Sequence, residues 1–533
     1  MTHTIPAPMS MDPTPTSGDV AARERSPLAE MLSIAVPTVA TTTSFTLMTF
    51  MDKLMVSRLG PDPVYVAAQG NGGLSSWVAI SVIFGMLGVV NTFVSQNLGA
   101  GKPERAPAYA WNGIWLSAIL YVSLIVPFAV VLPWLYAWMR DASMEAAALD
   151  AVVRRDEMAA TYARVLLFAS IITTARQAIQ QYFYGMHRPL LVFVSALAGN
   201  ITNFVCNSLF IYGPGGAQPT GIAWLDAWFA FAASVCQATG IPQLGVVGAA
   251  WGTVVGIIVE LVICLVVFIG PRFNRMYATR SQWRPDVKRL KELFSVGWAP
   301  GLMFGNEMIC WGTFMVYYVG HFGAEHSAAG WIAHQWMSLS FMPAVGISVA
   351  VTSMVGKCMG MGRPDLAAKR ARLGLTVAMV YMGFCGLCFV LFRASLVRFF
   401  IDERTSEEVA ARLVELGSAF LVATAVFQVF DALAMTLAGA LRGAGDTVFV
   451  GVMTVVSSWL ILVGGGKIAI SFFPQMQSVG PWMAAATYII VLAVFTTARF
   501  AAGKWKTIKL VRDDNHPGPD PQATAATVAD GVL

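Results

Sequence analysis

Long apolar stretches separated by short polar segments fill most of this 533-residue chain. A helix of about 20 apolar residues crosses a bilayer, and because lipid cannot hydrogen-bond bare backbone groups, such stretches must be helical. The pattern predicts about twelve membrane-spanning helices, near residues 31–56, 73–95, 113–136, 162–183, 190–212, 245–269, 296–319, 329–355, 373–392, 418–440, 447–472 and 480–502. The sequence therefore predicts an all-α polytopic membrane protein.

Landmarks of the first half return in the second half in the same order, about 260 residues later. The matched segments, first half and then second half, are Glu30–Pro37 with Glu292–Pro300, Gly99–Ala106 with Gly360–Ala367, and Gly185–Pro189 with Gly443–Thr447. Each half contains six of the predicted spans. We therefore expect two pseudo-symmetric six-helix lobes, related by an axis along the membrane normal, with a substrate groove between them.

Composition and charge placement agree with a membrane protein. Hydrophobic residues make up 56% of the chain and charged residues only 12%, about half the charged share of a soluble protein. With a cytoplasmic N-terminus, most Lys and Arg fall in cytoplasmic loops, as the positive-inside rule requires. The densest basic segment is predicted to face the inner leaflet rather than nucleic acid. We expect a multi-pass protein of a bacterial inner (plasma) membrane, with both termini cytoplasmic and the lipid bilayer as its surroundings.

The predicted domain organisation follows from these spans. It comprises a disordered cytoplasmic tail at 1–27, an N-lobe at 28–270, a basic cytoplasmic linker at 271–292, a C-lobe at 293–503 and a cytoplasmic tail at 504–533. One segment, 213–244, has no counterpart in the second half. It is too long for a turn, and an outer-side hairpin or interfacial helix anchored by Trp224 and Trp228 fits it best.

Acidic residues deep in the spans are the strongest functional signal in the C-lobe. Glu307 and Asp431 lie near mid-depth of their helices, and neither has Lys or Arg within one helical turn. An unpaired charge there costs at least about 2.5–3.5 kcal/mol and usually faces an ion or proton route. Gln428 shares the helix face of Asp431 and is a candidate oxygen ligand. The alternative is that each carboxyl only hydrogen-bonds a neighbouring helix.

In the N-lobe the candidate acid is Asp52, close to the outer end of the first helix. Because Lys53 follows it, an interfacial ion pair is the alternative to a cation site. Asn203 and Asn207 line one face of the fifth span, where their amide oxygens could bind a cation, hydrogen-bond Asp52 or join two helices. Glu260 is also deep, in a stripe with glycines, and no role is assigned to it.

Several chemistries leave no trace in the sequence. There is no phosphate-binding loop motif, and no metalloprotease or serine-hydrolase motif. The seven Cys lie mostly in apolar spans without metal-ligand spacing. The prediction is a non-enzyme with no cofactor and no bound metal beyond a possible Na⁺, and we expect a monomer.

An ordered set of motifs carries a family resemblance. They are Met51-Asp52-Lys53 after the Pro37 helix, Ser95–Lys102, Asn203-Phe-Val-Cys-Asn207, Gly245–Gly252, and Asp431 followed by Gly439–Thr447. Across residues 28 to 503 the chain resembles the multidrug and toxic compound extrusion (MATE) family, in its NorM-like branch. By position, Asp52 is similar to the N-lobe acid of that family, and Asn203 and Asn207 to amides beside it. Glu307 and Asp431 are similar to its C-lobe cation-binding acids.

The resemblance implies a MATE/MOP-type fold and antiport that couples entry of Na⁺ or H⁺ to export of small organic, often cationic, compounds. Carboxylates serve both ions, so both stay open. Two further functions compete with antiport. A flippase or exporter of lipid-linked or sugar precursors would need a cationic cavity, whereas the deep charges here are mostly acidic. A membrane receptor would need a soluble signalling domain, which the sequence does not contain.

Overall fold

The computed structural model describes residues 26–60, 64–140, 146–401 and 406–511. These residues form helices and connecting turns without any strand, so the all-α prediction is confirmed. Most of the two predicted tails lies outside the described residues. In the first half the long helices are α1 (Pro27–Ser57), α2 (Val64–Gly99), α3 (Pro103–Trp138), α4 (Ala146–Gly185), α5 (Pro189–Phe210) and α6 (Val246–Ile269).

The second half repeats this series. Its helices are α7 (Val287–Thr313), α8 (Ala324–Gly360), α9 (Pro364–Leu391), α10 (Glu407–Ala444), α11 (Val448–Phe472) and α12 (Val479–Ala502). Within the described residues, eleven helices are long and apolar enough to cross a membrane. The predicted span at 296–319 lies on α7 and its π-helical continuation Phe314–Val319. Polar residues within α7 make it less hydrophobic than its neighbours.

The repeated landmarks adopt the same backbone conformation in both halves. Gly101 (φ +70°) follows α2, and its counterpart Gly362 (φ +67°) follows α8. Likewise, His187 (φ +56°) and Gly445 (φ +95°) occupy the turns after α4 and α10. Left-handed residues close helix C-termini, and glycine adopts that conformation without strain. The two-lobe pseudo-symmetry predicted from the repeat is therefore present in the backbone.

Small residues bring α2 of the N-lobe against α7 of the C-lobe. A Cβ added to Gly85 would lie 2.5 Å from the Pro300 carbonyl oxygen, and one added to Gly301 would lie 2.7 Å from that of Val82. Such contacts let two helix backbones approach closely, and the resulting van der Waals packing favours helix association in lipid. The lobes are thus packed backbone to backbone along this line.

The tightest contact between the lobes lies at the end of the bundle where α1 and α7 begin. We call this the basic end, because the basic linker 271–292 lies there. Gly99 of α2 packs on the Lys357 carbonyl of α8, and Gly360 of α8 packs on the Gln96 carbonyl of α2. The Gln96 amide also donates to the Gly443 carbonyl (3.0 Å). The two lobes therefore close on each other reciprocally at the basic end.

The linker is docked on the start of α3. The indole nitrogens of Trp111 and Trp115 donate to the carbonyls of Thr279 and Trp283, both at 2.8 Å. The segment contains the short helix Pro271–Tyr277 before α7 begins. These bonds hold the connection between the lobes against the N-lobe.

Residues 213–244 form an insert that leaves and rejoins the bundle at one place. The Leu244 amide donates to the Phe210 carbonyl at 2.9 Å, so both ends of the insert meet at the end of α5. Its helix, Ala223–Thr239, packs on α5 through Leu225, Phe229, Ala232 and Cys236. The Trp228 indole donates to Ser208 (3.0 Å), whereas Trp224 is 70% exposed. We call the end of the bundle that carries this segment the insert end.

Candidate functional site

Asp52 lies near the end of α1 in a ring of polar side chains from α5 and α6. The Asn207 amide donates to Asp52 Oδ1 at 2.6 Å and contacts Asn203 Oδ1 at 3.3 Å. The Thr253 hydroxyl donates to Asp52 Oδ2 (3.3 Å) and accepts from the Asn203 amide (3.3 Å). Asp52 is only 5% exposed. The arrangement surrounds one buried carboxylate with amide and hydroxyl groups.

The packing around this ring leaves acceptor atoms unused. Gly252 of α6 contacts the Asn207 side chain, and a methyl group there would overlap the amide oxygen. Within the described residues, Asn207 Oδ1 is buried without a hydrogen-bond partner. Buried oxygens normally have partners, so such an atom beside a carboxylate fits the ligand needs of a hard cation such as Na⁺.

Glu307 and Asp431 lie near one another inside the C-lobe. Glu307 Oε1 accepts from the Tyr488 hydroxyl of α12 at 3.3 Å. Asp431 of α10 is buried, and its charge interacts with that of Glu307. Among the described residues no basic nitrogen lies within 4.0 Å of either carboxylate. The site can therefore accept a positive charge.

The residue before Glu307 fixes the rotation of α7. Asn306 donates to Ser458 Oγ (2.7 Å) and accepts from the Trp459 indole (2.7 Å), both in the π-helical segment of α11. Neighbouring residues on a helix point about 100° apart. Anchoring Asn306 on α11 therefore directs Glu307 towards α12 and α10.

Gln428 was predicted to add an oxygen ligand beside Asp431, but its described hydrogen bond is to another residue. Its amide donates to Ser340 Oγ of α8 at 2.7 Å, and its oxygen is buried without a partner. No described hydrogen bond joins Gln428 to Asp431. It lies one turn away on α10, facing α8 and α9.

Glu260, the deep acid left without a role, is paired. Arg176 of α4 contacts its carboxylate at 2.5 Å, and the Gln180 amide donates to the same oxygen at 3.1 Å. Its stem also fills the space beside Gly199. An ion pair this well buried neutralises Glu260 within the N-lobe. This ion pair distinguishes Glu260 from Asp52, Glu307 and Asp431, which have no basic partner among the described ion pairs.

The structure thus brings Asp52, Asn203 and Asn207 into one cluster and Glu307 and Asp431 into another. The ion pair between Asp52 and Lys53 considered above is not among the described ion pairs. Sequence reasoning missed Thr253 and Tyr488, which complete the two clusters. Thr253 directly follows the Gly245–Gly252 motif, so its position was a usable signal. Tyr488, a single tyrosine in an apolar helix, offered no comparable sequence signal.

Comparison with known proteins agrees with this helical membrane architecture. The model of the MatE family matches residues 37–209 and 306–465, more than half of the chain. The chain therefore belongs to the MatE family of membrane transporters. It is 26% identical over 492 residues to the probable multidrug resistance protein NorM of Pseudomonas syringae pv. tomato, covering 91% of this chain and 96% of that protein. It is 25% identical over 485 residues to the protein of the same name from Mesorhizobium japonicum, covering 89% and 94%.

Solved structures have the same fold. A MATE in the straight conformation superposes with a TM-score of 0.74 at 20% identity, covering 93% of this chain and all of the other. An outward-facing multidrug resistance MATE family transporter of the MOP superfamily gives 0.75 at 21% identity, covering 90% and 97%. The expectation of a NorM-like member of the MATE family and of a multi-pass membrane protein is confirmed.

Proposed function

We propose that this protein is an antiporter of the inner membrane that couples entry of Na⁺ or H⁺ to export of small organic cations. The observation that carries the proposal is that Asp52 and Asp431 are buried and Glu307 is partly buried, all three without a basic partner within 4.0 Å among the described residues. Keeping such groups inside a membrane protein is costly unless a positive charge visits them. The multidrug resistance names of the relatives support the same substrate class.

In the N-lobe the donor set favours binding of a small cation. The Asp52 carboxylate supplies the charge, and the free Asn207 oxygen together with Asn203 and Thr253 supplies neutral oxygens. Na⁺ would be held by these oxygens, and H⁺ would be taken up by the carboxylate itself. Both ions remove the negative charge, so both change the attraction of the site for an organic cation.

In the C-lobe the two acids act as a pair. Two nearby negative charges in a medium of low dielectric repel each other strongly, and one bound proton or metal cation relieves the repulsion. Tyr488 hydrogen-bonds Glu307 and fixes its orientation. An organic cation and the coupling cation would then compete for the same negative site. That competition is what antiport requires.

The packing of the lobes supports alternating access. Reciprocal glycine contacts close the basic end, which charge placement predicts to be cytoplasmic. A rigid-body rotation of the lobes that separates these contacts would expose the acids to the cytoplasm. A cationic cavity would favour a flippase of anionic lipid precursors, and these acidic clusters argue against that function.

The proposal is tested in proteoliposomes by following efflux of a fluorescent organic cation while Na⁺ and pH gradients are imposed separately. Asp52→Asn, Glu307→Gln and Asp431→Asn remove one charge each with little change in volume. Each variant is expected to lose at least about tenfold in gradient-driven efflux while keeping its folded, monodisperse state. The gradient that drives the wild-type protein identifies the coupling ion.

Glu415→Gln is the matched control, because Glu415 lies on α10 with Asp431 but its side chain is 69% exposed and pairs with Arg412. It should leave efflux unchanged. Wild-type efflux in both Glu307→Gln and Asp431→Asn would exclude coupling through the C-lobe. Efflux that responds to neither gradient would exclude antiport.

A further inference from the structure

Arg442 is a charged side chain in the C-lobe that the acidic clusters do not account for. It lies in the last turn of α10, and it is only partly exposed. Among the described residues its guanidinium forms no ion pair and no side-chain hydrogen bond; the Thr92 hydroxyl contacts only its backbone carbonyl. Arg176, which is buried, is paired with Glu260, and Arg499, which is partly buried, is paired with Asp446. A guanidinium held within the helix bundle without such a partner needs an explanation.

The side chain lines a small cavity between the helices. The cavity is bounded by Pro300, Met303, Ala438, Arg442, Thr447, Val450 and Gly451, and its volume of about 10 Å³ for water centres holds about one water molecule. Apart from Arg442 and Thr447 the lining is apolar. The guanidinium therefore borders a gap of water size and has no carboxylate in the cavity wall.

The cavity lies on the basic-end side of Glu307 along α7. Pro300, Met303 and Glu307 are spaced by three and four residues, so they share one face of that helix. Asp431, Ala438 and Arg442 are spaced by seven and four residues and share one face of α10 in the same way. The two helices run in opposite directions. Glu307 and Asp431 thus lie near mid-depth. Arg442 lies on the same face of α10 as Asp431, but nearer the basic end.

Arg442 and Glu307 interact electrostatically without touching. Each charge acts on the other, although their nitrogen and oxygen atoms are more than 4.0 Å apart. Pro300 lies in the intervening stretch of α7 and cannot donate a backbone hydrogen bond, so α7 is easiest to bend there. A bend at Pro300 would change the separation between Glu307 and Arg442.

We propose that Arg442 is the internal counter-ion of the C-lobe acid site. When the coupling cation leaves towards the basic end, the guanidinium turns from the cavity wall to the Glu307 carboxylate and neutralises it. A returning cation or an organic cation displaces it again. Arg442 then prevents the empty site from holding an uncompensated charge, and it keeps cations from leaking through without exchange. The inference rests on the proposed coupling at Glu307 and Asp431.

The test uses the full chain in proteoliposomes, with radioactive Na⁺ flux and an internal pH dye as probes. Arg442→Gln removes the competing charge. It should lower the cation concentration for half-maximal efflux by about fivefold or more, the lower end of common coupling between sites. It should also raise cation flux in the absence of any organic substrate. Arg442→Lys keeps the charge and should stay close to wild type in both measurements.

Two further variants make the result decisive. Arg442→Met keeps the side-chain volume in an apolar cavity and replaces the glutamine variant if that protein does not fold. Lys504→Gln removes an exposed positive charge from the same end of the C-lobe and should change neither measurement. A folded Arg442→Gln or Arg442→Met protein with wild-type cation dependence and no leak would overturn the inference. Wild-type coupling in both Glu307→Gln and Asp431→Asn would instead overturn the proposed coupling through the C-lobe.

Discussion

Glu30 of α1 and Arg370 of α9 form an ion pair of 2.8 Å between the lobes at the basic end. The pseudo-symmetric positions are Glu292 of α7 and Tyr109 of α3, and there the tyrosine hydroxyl donates to the carboxylate at 2.9 Å. The repeat has thus kept the acid and changed its partner. Glu30 also contacts Lys357 (3.3 Å), so one side of the closed basic end is held by charges and the other by a hydrogen bond.

The first prediction concerns this asymmetry. Glu30→Gln leaves two partly buried cations without their partner, and it should open the basic end more than Glu292→Gln. A change of about 1 kcal/mol is expected for such partly exposed pairs, equivalent to about a fivefold change in the open population. Cys358, 4% exposed on α8, is a built-in reporter. In a chain that retains only this cysteine, its labelling rate should rise in Glu30→Gln and little in Glu292→Gln. Equal rates in the two variants would contradict the asymmetry.

The second prediction concerns the reciprocal glycines. A methyl group at Gly99 or Gly360 would overlap the backbone carbonyl of Lys357 or Gln96, and backbone cannot move aside as a flexible side chain can. Each alanine variant should destabilise the closed state by about 1–3 kcal/mol, the usual cost of overpacking. Cys358 labelling and efflux report the result. Gly73→Ala in α2 is the control, because no atom lies within 4 Å of the added methyl group. If all three variants behave alike, closure does not depend on this contact.

The third prediction concerns Gly252 and the Asp52 ring. Gly252→Ala should push the Asn207 amide away from Asp52, because the new methyl group overlaps its oxygen. A ligand that binds only the folded protein raises its melting temperature. We expect the shift produced by the coupling cation to shrink in Gly252→Ala and to persist in Gly312→Ala, whose surroundings are open. An unchanged shift in Gly252→Ala would mean that Asn207 does not serve the cation.

The fourth prediction concerns the buried pair Arg176–Glu260. Removing one partner strands a charge inside the N-lobe, which typically costs about 3–5 kcal/mol, whereas replacing both by apolar residues is often neutral. Arg176→Met and Glu260→Gln should each lower thermal stability sharply. The double variant Arg176→Met/Glu260→Met should recover most of it. Additive losses measured by thermal unfolding would show that the two side chains act independently.

The fifth prediction concerns pH at the turn between α4 and α5. Burial lowers the pKa of His187 from 6.5 to about 4, with a further contribution from Lys357. Its ring contacts the Ser353 carbonyl of α8 at 3.4 Å, with Glu30 also nearby. Because the closed state disfavours the protonated ring, closure weakens as pH falls below about 6.5.

The measurement is the Cys358 labelling rate of the native His187 protein divided by that of His187→Gln at each pH. The ratio is expected to rise between pH 7.5 and 5.5, because only the native protein has a ring to protonate. The division cancels the pH dependence of the thiol reaction itself. A constant ratio would exclude His187 as the titrating group.

Much of the fold follows from the sequence. Apolar runs, the repeated landmarks and the basic loops predict a helical bundle of two lobes, because lipid restricts the backbone to helices and duplication repeats the helix order. Depth in an apolar helix singled out Glu307, Asp431 and Glu260, whereas the family resemblance singled out Asp52. The depth criterion needs no partner information, because an ionisable group inside a span is costly wherever its partner is. The cation-binding role of Asp52, Glu307 and Asp431 stays a prediction.

Only the tertiary structure decided which of these acids is neutralised. Glu260 and Arg176 are 84 positions apart, and Tyr488 and Glu307 are 181 apart. Such pairs form through the rotation and height of packed helices, which hydropathy does not specify. The same holds for Gln428, which bonds Ser340, and for Arg442, whose empty cavity exists only where three helices meet. The sequence alone determines which charges lie in the membrane, because burial in lipid depends on the helix itself, whereas pairing depends on contacts between helices distant in the chain.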